Sequence, residues 1–148
     1  VYRWFVKEAA KLVPKPEGAE FPYWSFMNLY SLDQSAGTRT LTLCVPRNEA
    51  GVFDMYDWNK ILCLKYLGED EADELAFQAY LKQRGVREMD AVPTGFYPEL
   101  KQKIMGSWPR LFRHHEQIRA GEESGAKSVQ AALWQIKKEW IVTETAGE

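Results

Sequence analysis

Cysteine is nearly absent from the chain: Cys44 and Cys63 are the only two in 148 residues, and each stands alone in its segment. No Cys-x-x-Cys pair exists, and neither cysteine lies near His114 or His115, the only histidines. A disulfide framework is excluded, and a zinc site lacks its ligand pattern. Two free, buried thiols in a reducing cytosol are the expectation, which places the chain in the cytoplasm. No apolar run approaches the roughly 20 residues that a membrane helix needs, so no membrane partner is expected. No signal peptide is visible. Familiar chemical signatures are missing too. There is no Gly-x-x-x-x-Gly-Lys phosphate loop, no Gly-x-Ser-x-Gly elbow and no His-Glu-x-x-His pair. Adjacent histidines point to different sides of a helix, so His114-His115-Glu116 predicts no metal site. The net charge is only −2, which argues against general binding to nucleic acid or anionic lipid.

Aromatic residues are what the chain has instead: six Trp, seven Tyr and seven Phe. Each buried ring removes a large apolar area from water, so a few can dominate a core. The length suits one domain covering residues 1–148, able to bury roughly 70% of the surface its unfolded form exposes. No linker or internal repeat divides it. The chain opens at Val1 already inside a helical pattern, so an upstream segment is expected.

Tyr2, Phe5, Val6, Ala9 and Val13 recur at helical spacing, and Pro14 and Pro16 stop that helix. Pro22 to Tyr30 reads as a buried strand. Thr38 to Val45 alternates, with Leu41, Leu43 and Val45 on the predicted core face. Pro46 to Gly51 reads as a turn. Asp54 is placed to cap a helix carrying Trp58, Ile61, Leu62 and Leu67, ended by Gly68, with Asp57 in its first turn. A second helix runs from about Asp70 to Arg84, with acids at its start, Phe77, Tyr80 and Leu81 facing inward, and Gly85 closing it. Pro98 opens a third helix, and Ser107 starts a short turn holding Trp108, Leu111 and Phe112. Val129 to Ile136 fits either a helix or one strand face. The expected class is α+β: a small antiparallel or mixed sheet packed against several helices around an aromatic-rich core.

Several motifs then fall in a familiar order. Phe21-Pro22-Tyr23-Trp24-Ser25-Phe26 resembles a Tyr-Pro-x-Trp-x-Trp signature. Cys44-Val45-Pro46, followed by Phe53-Asp54 and Trp58, resembles a Val-Pro strand end and a Ser-Asp-Phe-x-x-Trp helix start. Ser107-Trp108-Pro109-Arg110-Leu111-Phe112 is similar to Ser-Trp-x-x-Ile-Phe, and Gln130-Ala131-Ala132-Leu133-Trp134 with Trp140 to a Gln-Ala-x-x-Trp run. Together these resemble an uncharacterised bacterial domain-of-unknown-function family. Asn59 stands where that family tends to have His, and Cys63 where it tends to have Asn. The family's opening strand would lie upstream of Val1. Its order of elements is faintly similar to small ADP-ribosyltransferases.

That likeness implies an enzyme that binds NAD or a related nucleotide and transfers ADP-ribose. The chemistry needs an aromatic slot, a cation for the phosphates and a group at the reacting sugar. Trp24, Trp58 and Trp134 are the candidates for the slot, Arg39 for the phosphates, and Asp54 and Gln130 for the reacting centre. No cofactor is strictly required by the sequence. Gln130 is an amide and cannot be a general base, and no Glu stands at positions 129–136, where those transferases usually place one. The competing reading is a non-catalytic module that binds a protein, or a single strand of nucleic acid through Lys101 to Arg119. Five cations and one acid lie in that stretch, with Trp108 and Phe112 among them.

Overall fold

The computed structural model describes residues 1–147. Its first helix, α1 (Tyr2–Leu12), buries Phe5 and Ala9 and ends at an extended Val13, the residue before Pro14. Helix α2 (Met55–Leu62) is capped as the sequence predicts, with Asp54 accepting from the Tyr56 N–H at 3.1 Å. It ends at Cys63, earlier than Gly68, and Leu67 is buried from the loop that follows. Helix α3 (Glu71–Arg84) starts with Asp70 accepting from the Asp73 N–H and closes on Gly85 at φ +64°. There a residue with a Cβ would be strained. Phe77 and Leu81 are buried, while Tyr80 is exposed beside Arg84 and Lys103. A short α4 (Glu88–Ala91) precedes α5 (Pro98–Ser107), which begins on its proline. A 3-10 turn, Trp108–Phe112, leads to α6 (His115–Arg119). No helix among the described residues is long and apolar enough to cross a membrane.

The α+β expectation holds, with a sheet richer than the sequence reading. Strands β1 (Tyr23–Phe26) and β3 (Ala50–Asp54) flank β4 (Val129–Leu133), both antiparallel to it. The ambiguous segment is therefore a strand. A central strand covered on both faces loses the polar alternation that would identify it. Strand β3 occupies residues read as turn and helix start. Its Gly51-Val52-Phe53 core is too short to show a period of its own.

Strand β2 (Arg39–Leu43) does not join that sheet. It pairs with β5 (Ile141–Ala146) in a separate two-stranded ribbon. Leu41 is consequently exposed rather than facing the core, and only Leu43 and Val45 pack inward. Both cysteines are also exposed, against the buried expectation. Cys44 follows β2 on the ribbon, and Cys63 sits just past the last turn of α2.

Directly opposed residues share a face of a sheet. Trp24, Phe26, Phe53, Gln130 and Ala132 lie on one face, and Val52, Ala131 and Leu133 on the other. The first face meets α1 and α2 in the main core, which gathers Trp4, Trp24, Trp58, Trp108 and Trp134. The second face carries a smaller cluster with Leu43, Val45 and Ile118.

His115 seals the β3 edge. Its Nδ1 accepts the outward Val52 N–H at 3.1 Å. Burial first, and then the Arg119 guanidinium, hold its pKa below the ordinary 6.5, against a smaller opposing pull from Glu116. As pH falls, the unfolded chain takes up the proton before the folded one. This stabilisation is therefore present above about pH 6.5 and is lost as pH falls through the lower folded value. Urea unfolding from pH 7 to 5 is expected to show that decline in the native protein. His115→Asn, which keeps an acceptor for Val52, should remove it. Equal slopes for both proteins would refute the assignment.

Candidate functional site

The junction of β3 with α2 borders a cleft of about 780 Å³. Asp54, 4% exposed, closes its inner end. Besides capping α2, its carboxylate accepts the backbone N–H groups of Lys127 at 3.2 Å and Ser128 at 3.3 Å. One side chain thus ties the end of β3, the start of α2 and the approach to β4. A carboxylate holding three backbone donors is a structural clasp before it is a base.

One turn along, Asp57 accepts from Arg113 Nη2 at 2.9 Å, an ion pair with the carboxylate almost fully buried. Arg113 Nη1 donates to the Gly68 carbonyl at 2.8 Å and the Glu69 carbonyl at 3.2 Å. The guanidinium thus joins α2, the 68–69 loop and the turn before α6. Gly68 is required by close approach, since a Cβ there would lie 2.5 Å from Glu74 Cγ and 2.9 Å from the Asp70 carbonyl oxygen. Glu74 accepts from Lys60 Nζ at 2.8 Å.

Charge is segregated by segment around this cleft. The start of α3 brings Glu69, Asp70, Glu71 and Glu74. Lys65, His114 and Lys127 line it too, and none has an acidic partner among the described residues. Tyr56 stands at the helix start with 51% of its surface exposed. Asn59 and Cys63, where the chain departs from the motif pattern, both line the cleft as well. No group of three or more His, Cys, Asp or Glu able to hold a metal is present among the described residues.

The residues singled out from the sequence do not converge on one slot. Trp24 and Trp58 do meet, stacked with centroids 5.6 Å apart and planes at 24°, but as part of the main core, with Trp58 buried and Trp24 partly buried against it. Trp134 belongs to the same core and donates its Nε1–H to the Val13 carbonyl at 2.8 Å. Arg39 is on the outer ribbon, paired with Glu144 at 2.8 Å. Gln130 faces the aromatic side of the sheet, buried, with Oε1 lacking a hydrogen-bond partner. Only Asp54 lines the α2 cleft.

Two arginines and the tryptophan of the basic stretch are engaged internally. Arg110 donates to the Leu67 carbonyl at 2.9 Å and meets Glu69, Arg113 holds Asp57, and Trp108 is buried with Nε1–H on the Lys65 carbonyl. Arg110 and Arg113 are thus parts of the fold, and the Trp108 ring is not free to stack on a base. The place of Asp57, Arg113 and Lys127 at the cleft is not visible in the sequence because each reads as ordinary there: a helix-start acid, one cation in a run, and a loop lysine. The short spacing from Asp54 to Asp57 is the one local hint.

A protein-family model described as a domain of unknown function (DUF3841) matches residues 1–142. No curated protein and no solved structure matches the chain.

Proposed function

Because the chain belongs to the DUF3841 family, whose description assigns no activity, function has to be read from its own site, and we propose that the α2 cleft binds a nucleotide carrying an aromatic ring and phosphate. The observation that carries this reading is an exposed Tyr56 in a cleft of about 780 Å³ that is also lined by two lysines, Lys65 and Lys127, without acidic partners among the described residues. That volume lies within the range of small-molecule sites, about 300–1,000 Å³. A tyrosine face stacks on a planar ring. Lys127 and Lys65 supply charge and donors for phosphate, and His114 adds a ring N–H. The acids at the start of α3 suit a cationic ring such as nicotinamide, so NAD and its mononucleotide are the first ligands to try.

Binding, rather than ADP-ribosyl transfer, is the activity proposed. The carboxylates deepest in the cleft are Asp54 and Asp57. The first holds three backbone N–H groups and the second holds Arg113.

Thermal shift and calorimetry with nicotinamide mononucleotide, AMP and NAD test the reading. Ligand at about 100 times its Kd adds about 2.7 kcal/mol of stability, a rise of roughly 5 °C or more in Tm for a chain of this size. The Lys127 side chain makes no hydrogen bond or ion pair among the described residues. Lys127→Glu should therefore fold normally and weaken binding at least about tenfold. A panel that shifts nothing, or a variant that binds as well as the native chain, defeats the reading.

A further inference from the structure

A second cleft, of about 660 Å³, opens beside the first, and Lys127 lines both. Its far wall is the 27–30 segment, with Met27, Leu29 and Tyr30 unusually exposed for apolar residues, Tyr30 at 94%. Two amides border it, and each is half used. Asn28 Oδ1 accepts the Tyr30 N–H at 3.0 Å, and Gln34 Nε2 donates to the Leu29 carbonyl at 3.0 Å. Asn28 Nδ2 remains as a donor and Gln34 Oε1 as an acceptor. One donor and one acceptor beside an exposed phenol ring suit the edge and face of a purine base. Lys127 lies where the two clefts meet, and its backbone N–H is fixed by Asp54.

From this arrangement we propose that the ligand is a dinucleotide. One ring lies on Tyr56 in the α2 cleft, the diphosphate crosses Lys127, and an adenine lies on Tyr30 between Asn28 and Gln34. The inference rests on the α2 reading and extends it from a mononucleotide to a two-ring ligand bridged by phosphate. Joining two half-sites makes the second contact intramolecular, so the whole binds more tightly than either half.

Calorimetry on the full chain with NAD and with nicotinamide mononucleotide tests it. NAD is expected to bind at least about tenfold more tightly than the mononucleotide. Tyr30→Ala, at a side chain exposed enough to leave folding intact, should remove about tenfold of NAD affinity and leave the mononucleotide unchanged. Equal affinities for the two ligands, or a Tyr30→Ala variant that keeps the full NAD affinity, overturn the dinucleotide while the α2 site stands. Failure of both ligands to bind the native chain removes the α2 site and the dinucleotide together.

Discussion

Phe5→Ala is expected to cost about 3–5 kcal/mol of folding stability, a large part of the roughly 5–15 kcal/mol a domain possesses. Phe5 has no exposed surface. Its ring lies 4.8 Å from Trp58, 4.9 Å from Trp24, 5.3 Å from Phe53 and 5.6 Å from Phe112. Those partners come from α1's three neighbours in space: the sheet, α2 and the turn before α6. Removing the ring leaves a cavity bounded by large, rigid side chains, which collapse poorly into it. It also removes several tilted or edge-on ring pairs, each worth about 0.5–1.5 kcal/mol beyond area burial. Urea unfolding should show the midpoint falling with little change in slope. A loss below about 1 kcal/mol would mean that the aromatic cluster does not organise the fold.

Asp57→Ala is expected to cost about 2–4 kcal/mol. A fully buried pair broken on one side typically loses about 3–5 kcal/mol, because the surviving charge has no partner. Arg113 keeps 28% of its side-chain surface and two carbonyl acceptors, so the effect falls at or below the lower part of that range. The double variant Asp57→Ala with Arg113→Met removes the stranded charge and should recover part of the loss. A double-mutant cycle measures the coupling, with about 1 kcal/mol or more expected. Additive losses would show that the pair is incidental to the stability of the cleft floor.

Most of the elements were legible because they carry local chemistry. Asp54, Asp70, Pro98 and Gly85 mark helix ends through their own side chains or backbone freedom, and all four stand where such marks predict. The strands were legible only in part. β4 is covered on both faces, so its sequence lacks alternation, and only its two neighbours reveal it as a strand. The clean alternation of β2 did report a strand, but not which sheet it joins. Pairing with the distant β5 put Leu41 in solvent and Arg39 far from the tryptophans it was grouped with.

The cleft was the least visible feature. It is assembled from α2 and the start of α3, from the turn before α6, and from the loop before β4, three stretches far apart in sequence. What defines it is which charges find partners, as Asp57 and Lys60 do and Lys65 and Lys127 do not. Aromatic content drew the candidate site toward Trp24 and Trp58. Those rings instead form the core that holds the cleft's elements in place.

The most direct measurement is a titration of the isotopically labelled chain with nicotinamide mononucleotide, followed by amide chemical shifts. Changes are expected to concentrate at Tyr56, Asn59, His114 and Gly125 to Lys127, with the amides around Arg39 and Trp134 unmoved. Shifts centred on those last two positions, or no saturable shift at any amide, would contradict a nucleotide site at the head of α2.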